Sequence, residues 1–166
     1  GIACGRLCKK AKNSIWRLDP FNTFDLLLVL SEQNGLRSAF YFMTGCTDSK
    51  RDGNYSIRHP LIRSLLLQIH QRDHEIGFHP SFNTYLDVSQ THCEFAALKQ
   101  VCLEENIQQE QWGGRQHYLR WQASTTWQNW ESAGLTYDST LSFASCPGFR
   151  TGTCYDIPVF NLSTRQ

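Results

Sequence analysis

The stretch His74-Glu75-Ile76-Gly77-Phe78-His79-Pro80-Ser81-Phe82-Asn83-Thr84-Tyr85 ends a short apolar run on a histidine, directly before a polar loop. Read as a strand, it places Glu75, Gly77 and His79 on one face and His74, Ile76 and Phe78 on the other. If the first face points to a site, His79 is presented at the strand end and Gly77 leaves room beneath it. Glu75 then sits deeper, where a carboxylate can orient an imidazole. Downstream, Gly113-Gly114-Arg115-Gln116-His117-Tyr118-Leu119 reads as another strand, with His117 on the face of Arg115 and Leu119. Two imidazoles delivered by separate strands could ligate one ion. Zinc holds such nitrogens at about 2.0–2.1 Å, so the two rings would have to approach within about 4 Å. A separation beyond about 8 Å excludes His117 as a ligand, because rotamer changes could not bridge it. Ordinary structural hydrogen bonds for His74, His79 and His117 carry no such requirement.

These residues need elements to position them. Asn22 or Thr23 can cap a helix with Asp25 in its first turn and Leu26, Leu27, Val29 and Leu30 as apolar positions, before Asn34-Gly35 stops it. Ser38 to Met43 is short, aromatic-rich and bounded by glycines, which predicts a buried strand. A second helix is expected from Pro60 to Arg72, with Leu61, Leu65 and Ile69 at helical spacing. Ser89 is expected to open a third helix, with Phe95, Leu98, Val101 and Cys102 as apolar positions. A fourth runs through Ser-Thr-Thr-Trp-Gln-Asn-Trp-Glu-Ser-Ala to Gly134, before a strand at Leu135 to Leu141. Helices and strands alternate, which is the pattern of an α/β architecture with a parallel sheet. The chain offers about four such pairs, too few to close a barrel, which typically needs about 250 residues.

The totals narrow the partners. With 166 residues and 40% hydrophobic composition, one globular unit spanning 1–166 is expected. Sixteen Lys and Arg against fifteen Asp and Glu leave a charge of +1, too balanced for nucleic-acid binding or an anionic membrane surface. A neutral partner is favoured. Trp112, Trp121, Trp127 and Trp130 lie beside polar residues, as on sugar-stacking surfaces, although Trp127 and Trp130 read first as core. Seven cysteines at irregular spacings leave at least one unpaired, so a disulfide-stapled scaffold is not expected. Cys4 and Cys8 have a zinc-compatible spacing but no matching second pair. Asn54-Tyr55-Ser56 and Asn161-Leu162-Ser163 fit a glycosylation acceptor pattern too short to decide anything. No run reaches membrane-spanning length, and the opening lacks a signal-peptide apolar region. Together with the cysteines, this leans to a cytoplasmic setting without fixing the compartment.

The motifs taken in order resemble those of the NodB-like polysaccharide deacetylases, carbohydrate esterase family four. His74-Glu75-Ile76-Gly77-Phe78-His79 resembles the family's second motif, in which a strand delivers metal-binding histidines spaced H-x-x-x-H. Asn34 to Met43 is similar to the family's second strand. Arg115-Gln116-His117-Tyr118 resembles R-x-P-Y with His for Pro, and Tyr137-Asp138-Ser139-Thr140 resembles the tyrosine-aspartate-serine strand that follows. The resemblance spans Phe21 to about Thr140 and implies a partial (β/α) barrel of the NodB-like type, with its first and last strands outside this segment. It also implies a divalent metal, zinc first, acting on N-acetyl groups of an acetylated amino-sugar polysaccharide or oligosaccharide. The implied metal ligands are His79, Asn83 at the second histidine position, and His117. Arg115 would orient a carboxylate, and the Tyr118 backbone N–H would face the tetrahedral oxyanion, where one donor is worth roughly 3 kcal/mol. Asp138 and Trp121 would meet substrate, with a structural strand-end role equally open for Asp138.

Three departures qualify the resemblance. The family's strand ending in paired aspartates does not appear between Gly1 and Phe21, and Thr23-Phe24-Asp25, which runs straight into the apolar Leu26–Leu30, reads as a helix start. Asn83 offers a carbonyl oxygen where the family has an imidazole, a weaker ligand. The family's late L-x-H motif would lie beyond Gln166. An internal segment, nearly inactive by itself, is therefore expected. The rival readings are a cyclic-amide hydrolase or a non-catalytic carbohydrate-binding or assembly protein on the same fold.

Overall fold

The computed structural model describes residues 19–161 and Thr164. Cys4, Cys8 and the Leu162-Ser163 part of the second acceptor pattern lie outside the described residues. The chain divides into two compact units, residues 1–38 and 39–166.

In the first unit, helix α1 (Phe24–Gln33) starts after Thr23 and carries Asp25 in its first turn, complementing the helix dipole. It ends at Asn34, and Gly35 then takes a left-handed φ of 63°.

The second unit is an α/β fold with a four-stranded parallel sheet flanked by helices. Its elements are β1 (Ala39–Phe42), α2 (Pro60–Gln71), β2 (Glu75–Phe78), α3 (Val88–Glu104), β3 (Gly113–Gly114), α4 (Thr126–Ala133) and β4 (Tyr137–Asp138). The strands lie in chain order, β1-β2-β3-β4, every pair parallel. Register pairs Phe40 with Ile76 and Phe42 with Phe78, then Phe78 with Gly114 and Gly114 with Asp138, so these residues share one face. That face is the core. Phe78 is fully buried, with Phe95 of α3 at 5.5 Å and Trp130 of α4 at 6.3 Å between ring centroids. Leu98, Val101 and Cys102 follow on the apolar stripe of α3, and Leu65, Leu66 and Ile69 are buried on α2. The other face carries Tyr41, Glu75, Gly77, Gly113 and Tyr137, an unusually polar set for a parallel sheet.

Helix starts follow local chemistry. Pro60 occupies the first turn of α2, where its missing N–H costs nothing, and the His59 ring accepts from the Leu61 N–H. The cap of α3 is Asp87, two residues before the expected Ser89, because its carboxylate accepts from the Gln90 N–H at 2.9 Å. Helix α4 closes on Gly134 at φ 87°, a left-handed cap that a side chain would strain. Between the start of α2 and the end of α3, Arg63 binds Glu104 and Glu105, and Arg58, just before α2, also binds Glu104. The Arg63 contact, with Gln100 and Arg58, holds the Glu104 carboxyl down to about 2.

The strand expected over Gly113 to Leu119 is much shorter. It stops after Gly114, beyond which the Arg115 N–H bonds the Phe78 carbonyl at 3.0 Å and the Ser139 N–H bonds the Gly114 carbonyl at 2.9 Å. The Arg115 carbonyl, which would carry the ladder further, accepts instead from the His79 ring. His117, Tyr118 and Leu119 then form a tight turn. His117 therefore does not share a strand face with Arg115 and Leu119. No described helix is long and apolar enough to cross a membrane. Cys46, Cys93, Cys102, Cys146 and Cys154 are all free, and burial pushes the Cys102 thiol up to about 12.

Candidate functional site

His79 follows β2 on the polar face of the sheet, its N–H continuing the ladder to the Phe42 carbonyl. Its Nδ1 lies 2.6 Å from the Arg115 carbonyl oxygen, and its Nε2 lies 2.9 Å from His117 Nδ1. His117 Nε2 in turn lies 2.8 Å from the Arg51 carbonyl oxygen. A carbonyl only accepts, so both outer nitrogens carry protons and the two inner nitrogens face each other with lone pairs. Hydrogen bonds at all three contacts would need one proton more than two neutral rings hold. Burial, together with the His117 and Arg115 charges, lowers the His79 pKa, against the raising effects of the Arg115 carbonyl and Asp52.

Two buried carboxylates hold the loops behind this pair. Asp52 closes the β1 loop on itself, accepting from the Thr47 and Asp48 N–H groups at 2.7 Å each. Its other oxygen accepts from the Phe82 N–H at 2.7 Å, which ties in the loop after β2, and lies 3.8 Å from His117 Nε2. Glu94 projects from the apolar stripe of α3 and is 2% exposed. It accepts from Ser81 N–H and Oγ–H at 2.8 and 2.5 Å, from Thr84 Oγ at 3.0 Å and from Gln90 at 2.8 Å. Four donors satisfy this buried carboxylate. The chain must narrow beside it: a Cβ on Gly45 would fall 2.1 Å from Glu94 Oε1.

Asn83 sits in the loop that these anchors hold. Its amide donates to the Thr47 carbonyl at 3.2 Å, and its side-chain oxygen accepts from Arg120 at 3.1 Å. Arg120 also donates to the Phe82 carbonyl at 2.7 Å, and its guanidinium covers the Phe82 and Tyr85 rings at 4.0 and 4.1 Å. The oxygen proposed from the motif as a metal ligand is thus bonded to a cation. Arg115 donates through Nε to the Ser139 carbonyl and hydroxyl, at 3.1 and 3.3 Å, with its guanidinium over Tyr41. Tyr118 lies in the turn beside His117. Among the described residues, no acceptor takes its backbone N–H.

Asp138 faces the core side, in register with Gly114, and its carboxylate accepts from the Trp127 indole at 2.8 Å and from Thr140. That is a structural strand-end arrangement. Trp121 packs on Trp127, 4.7 Å between centroids, and stands with that group instead of beside the histidine pair. Glu75, read as an orienter of His79, instead accepts from the Tyr137 hydroxyl, which burial and this carboxylate raise well above the usual phenol range. Tyr41 and Tyr137 lie flat across the sheet only because their neighbours are glycine. A Cβ on Gly77 would meet Tyr41, and one on Gly113 would meet Tyr137, each at 2.3 Å.

The structure thus gathers His79, His117, the Arg115 backbone and Tyr118 at the C-terminal ends of β2 and β3, with Asn83 in the adjoining loop. Asp138 and Trp121 form a separate group. Asp52 and Glu94 escaped the sequence reading. Glu94 left a signal, a carboxylate in register with Leu98 and Val101 on an apolar stripe; Asp52, in a loop of turn residues, left none. Among the described residues no group of three or more His, Cys, Asp or Glu side chains could hold a metal ion. Two nitrogens on one tetrahedral zinc stand about 3.3 Å apart, so 2.9 Å is a hydrogen-bond distance. With two imidazoles, an Asn83 oxygen taken by Arg120 and no third donor, the described residues do not fit a catalytic zinc, which takes three protein ligands. No protein-family model, curated protein or solved structure matches the chain.

Proposed function

We propose that this chain belongs to a NodB-like polysaccharide N-deacetylase domain and carries its seat for the acetamido group of an amino sugar. The observation that carries this reading is the meeting of His79, just after β2, and His117, in the turn that follows β3, beside a Tyr118 N–H that no described residue accepts. A strand order without reversal supports the barrel form, since a barrel wall winds in one direction whereas a doubly wound sheet turns back at a switch point. Sites on such folds gather at the C-terminal strand ends.

The chain's own residues would act as follows. The Tyr118 N–H donates to the acetamido oxygen, in the position where negative charge gathers during attack on the carbonyl. When the pair carries a proton between His79 Nε2 and His117 Nδ1, that proton would pass to the leaving amine; burial of His79 works against that charge. A zinc ion, as the resemblance implies, would need at least one donor beyond these two imidazoles, so no step is assigned to it.

The second reading, a non-catalytic carbohydrate-binding protein, is favoured by one observation: Arg120 occupies the Asn83 oxygen. Both readings require a sugar at this site. Calorimetric titration of the chain is expected to show binding of N-acetylated chito-oligosaccharide and at least about tenfold weaker binding of the same oligomer without acetyl groups, since a seat built for the acetamido group is left unpaired. Equal affinity for the two would contradict the acetamido seat, and binding of neither would contradict both readings.

A further inference from the structure

We propose that the side chain of Tyr118 is a stacking platform for a pyranose ring, forming a subsite one sugar unit away from the His79–His117 pair. This rests on the acetamido reading of the same site and adds to it how a longer oligosaccharide is held. Tyr118 is 65% exposed although it stands within a cluster of rings. It meets His117 at 4.7 Å and 86°, and Phe82 at 5.4 Å and 90° between centroids and planes. Both contacts are edge-to-face, so no neighbouring ring lies parallel on Tyr118. Phe82, its support, is itself clamped by the guanidinium groups of Arg120 at 4.0 Å and Arg51 at 4.6 Å.

The backbone makes the exposed ring harder to explain by packing. Tyr118 has φ 56° and ψ 21°, and Leu119 follows at φ 53°. Two successive non-glycine residues in the left-handed region are disfavoured, and glycine or asparagine would make the same turn with less strain. A large aromatic at such a position normally gains burial in return, and Tyr118 gains little. Strain held at an exposed aromatic beside a polar cluster points to a ligand that covers the ring. A pyranose suits it: its C–H face stacks on one open aromatic face while its hydroxyls meet the polar surroundings. The Tyr118 N–H, at the base of the same residue, would take the acetamido oxygen of the adjoining unit.

The test uses the whole chain, N-acetylglucosamine and its N-acetylated oligomers, followed by NMR titration, with the variants Tyr118→Phe and Tyr118→Gly. Wild type is expected to bind the oligomers more tightly than the monosaccharide. Tyr118→Phe should retain that gain, because the ring and not the hydroxyl provides it. Tyr118→Gly should lose about tenfold in oligomer affinity relative to its own monosaccharide affinity, and melt at a higher temperature as the turn relaxes. Undiminished oligomer binding by a folded Tyr118→Gly variant would overturn the platform while leaving the acetamido seat intact. Failure of wild type to bind either sugar would overturn both.

Discussion

Incubated with acetylated chito-oligosaccharides, the 166-residue chain is expected to release acetate at a rate close to the uncatalysed background, with or without added zinc. Amide hydrolysis needs a base to activate water, and every carboxylate around the site is already committed. Asp52 accepts three backbone N–H bonds, Glu94 four donors, Glu75 the Tyr137 hydroxyl, and Asp138 the Trp127 indole and Thr140. The histidines do not replace them, because their inner nitrogens face each other at 2.9 Å instead of facing water. A positioned base and a positioned acid are each worth roughly 100-fold to 10,000-fold, so lacking a free base alone removes most of the rate. Direct measurement of acetate decides the matter. Robust metal-dependent turnover by this chain would show that the catalytic groups have been misassigned.

The largest expected loss of stability comes from Gly114→Ala. A Cβ at Gly114 would fall 1.8 Å from the Phe78 carbonyl oxygen and 2.7 Å from its carbon. Both are backbone atoms of the neighbouring strand, so no side-chain rotation relieves the clash, and β2 and β3 must part. Parting them breaks the Arg115 N–H bond to Phe78 and moves the Arg115 carbonyl away from the His79 ring. Overpacking of this kind costs about 3 kcal/mol, equivalent to a fall in melting temperature of roughly 6–12 °C for a chain of this size. Thermal unfolding followed by circular dichroism measures it. Gly134→Ala provides the contrast: nothing lies within 4 Å of its Cβ position, so only the strain of a left-handed φ would be felt. A Gly114→Ala variant as stable as wild type would mean that β3 does not pair with β2 in this register.

Much of the fold was legible because its signals are local. The alternating apolar pattern of Glu75 to Phe78, Pro60 at a helix start and Gly134 at a helix end each act within a few residues, and each element forms where those residues require it. The extent of β3 was not legible. It depends on whether the Arg115 carbonyl bonds to a strand or to the ring of a histidine thirty-six positions away in the chain, and no local preference records that choice. The same contact explains how His117 reaches His79 by way of a turn, when alternation along a strand was the expected route. Asp138 was ambiguous for a related reason: register with Gly114 decides which face it takes, and register is a property of the pair of strands, not of either sequence.

The placement of the acetamido seat at the ends of β2 and β3 is most directly tested by recording amide and ring-nitrogen NMR spectra of the labelled chain during titration with N-acetylglucosamine. Shifts are expected at the Tyr118 amide and at the His79 and His117 ring nitrogens, with the Cys102 and Val101 amides in the core of α3 unmoved. Shifts centred on Trp121, Trp127 and Asp138, with Tyr118 and both histidines unchanged, would contradict that placement.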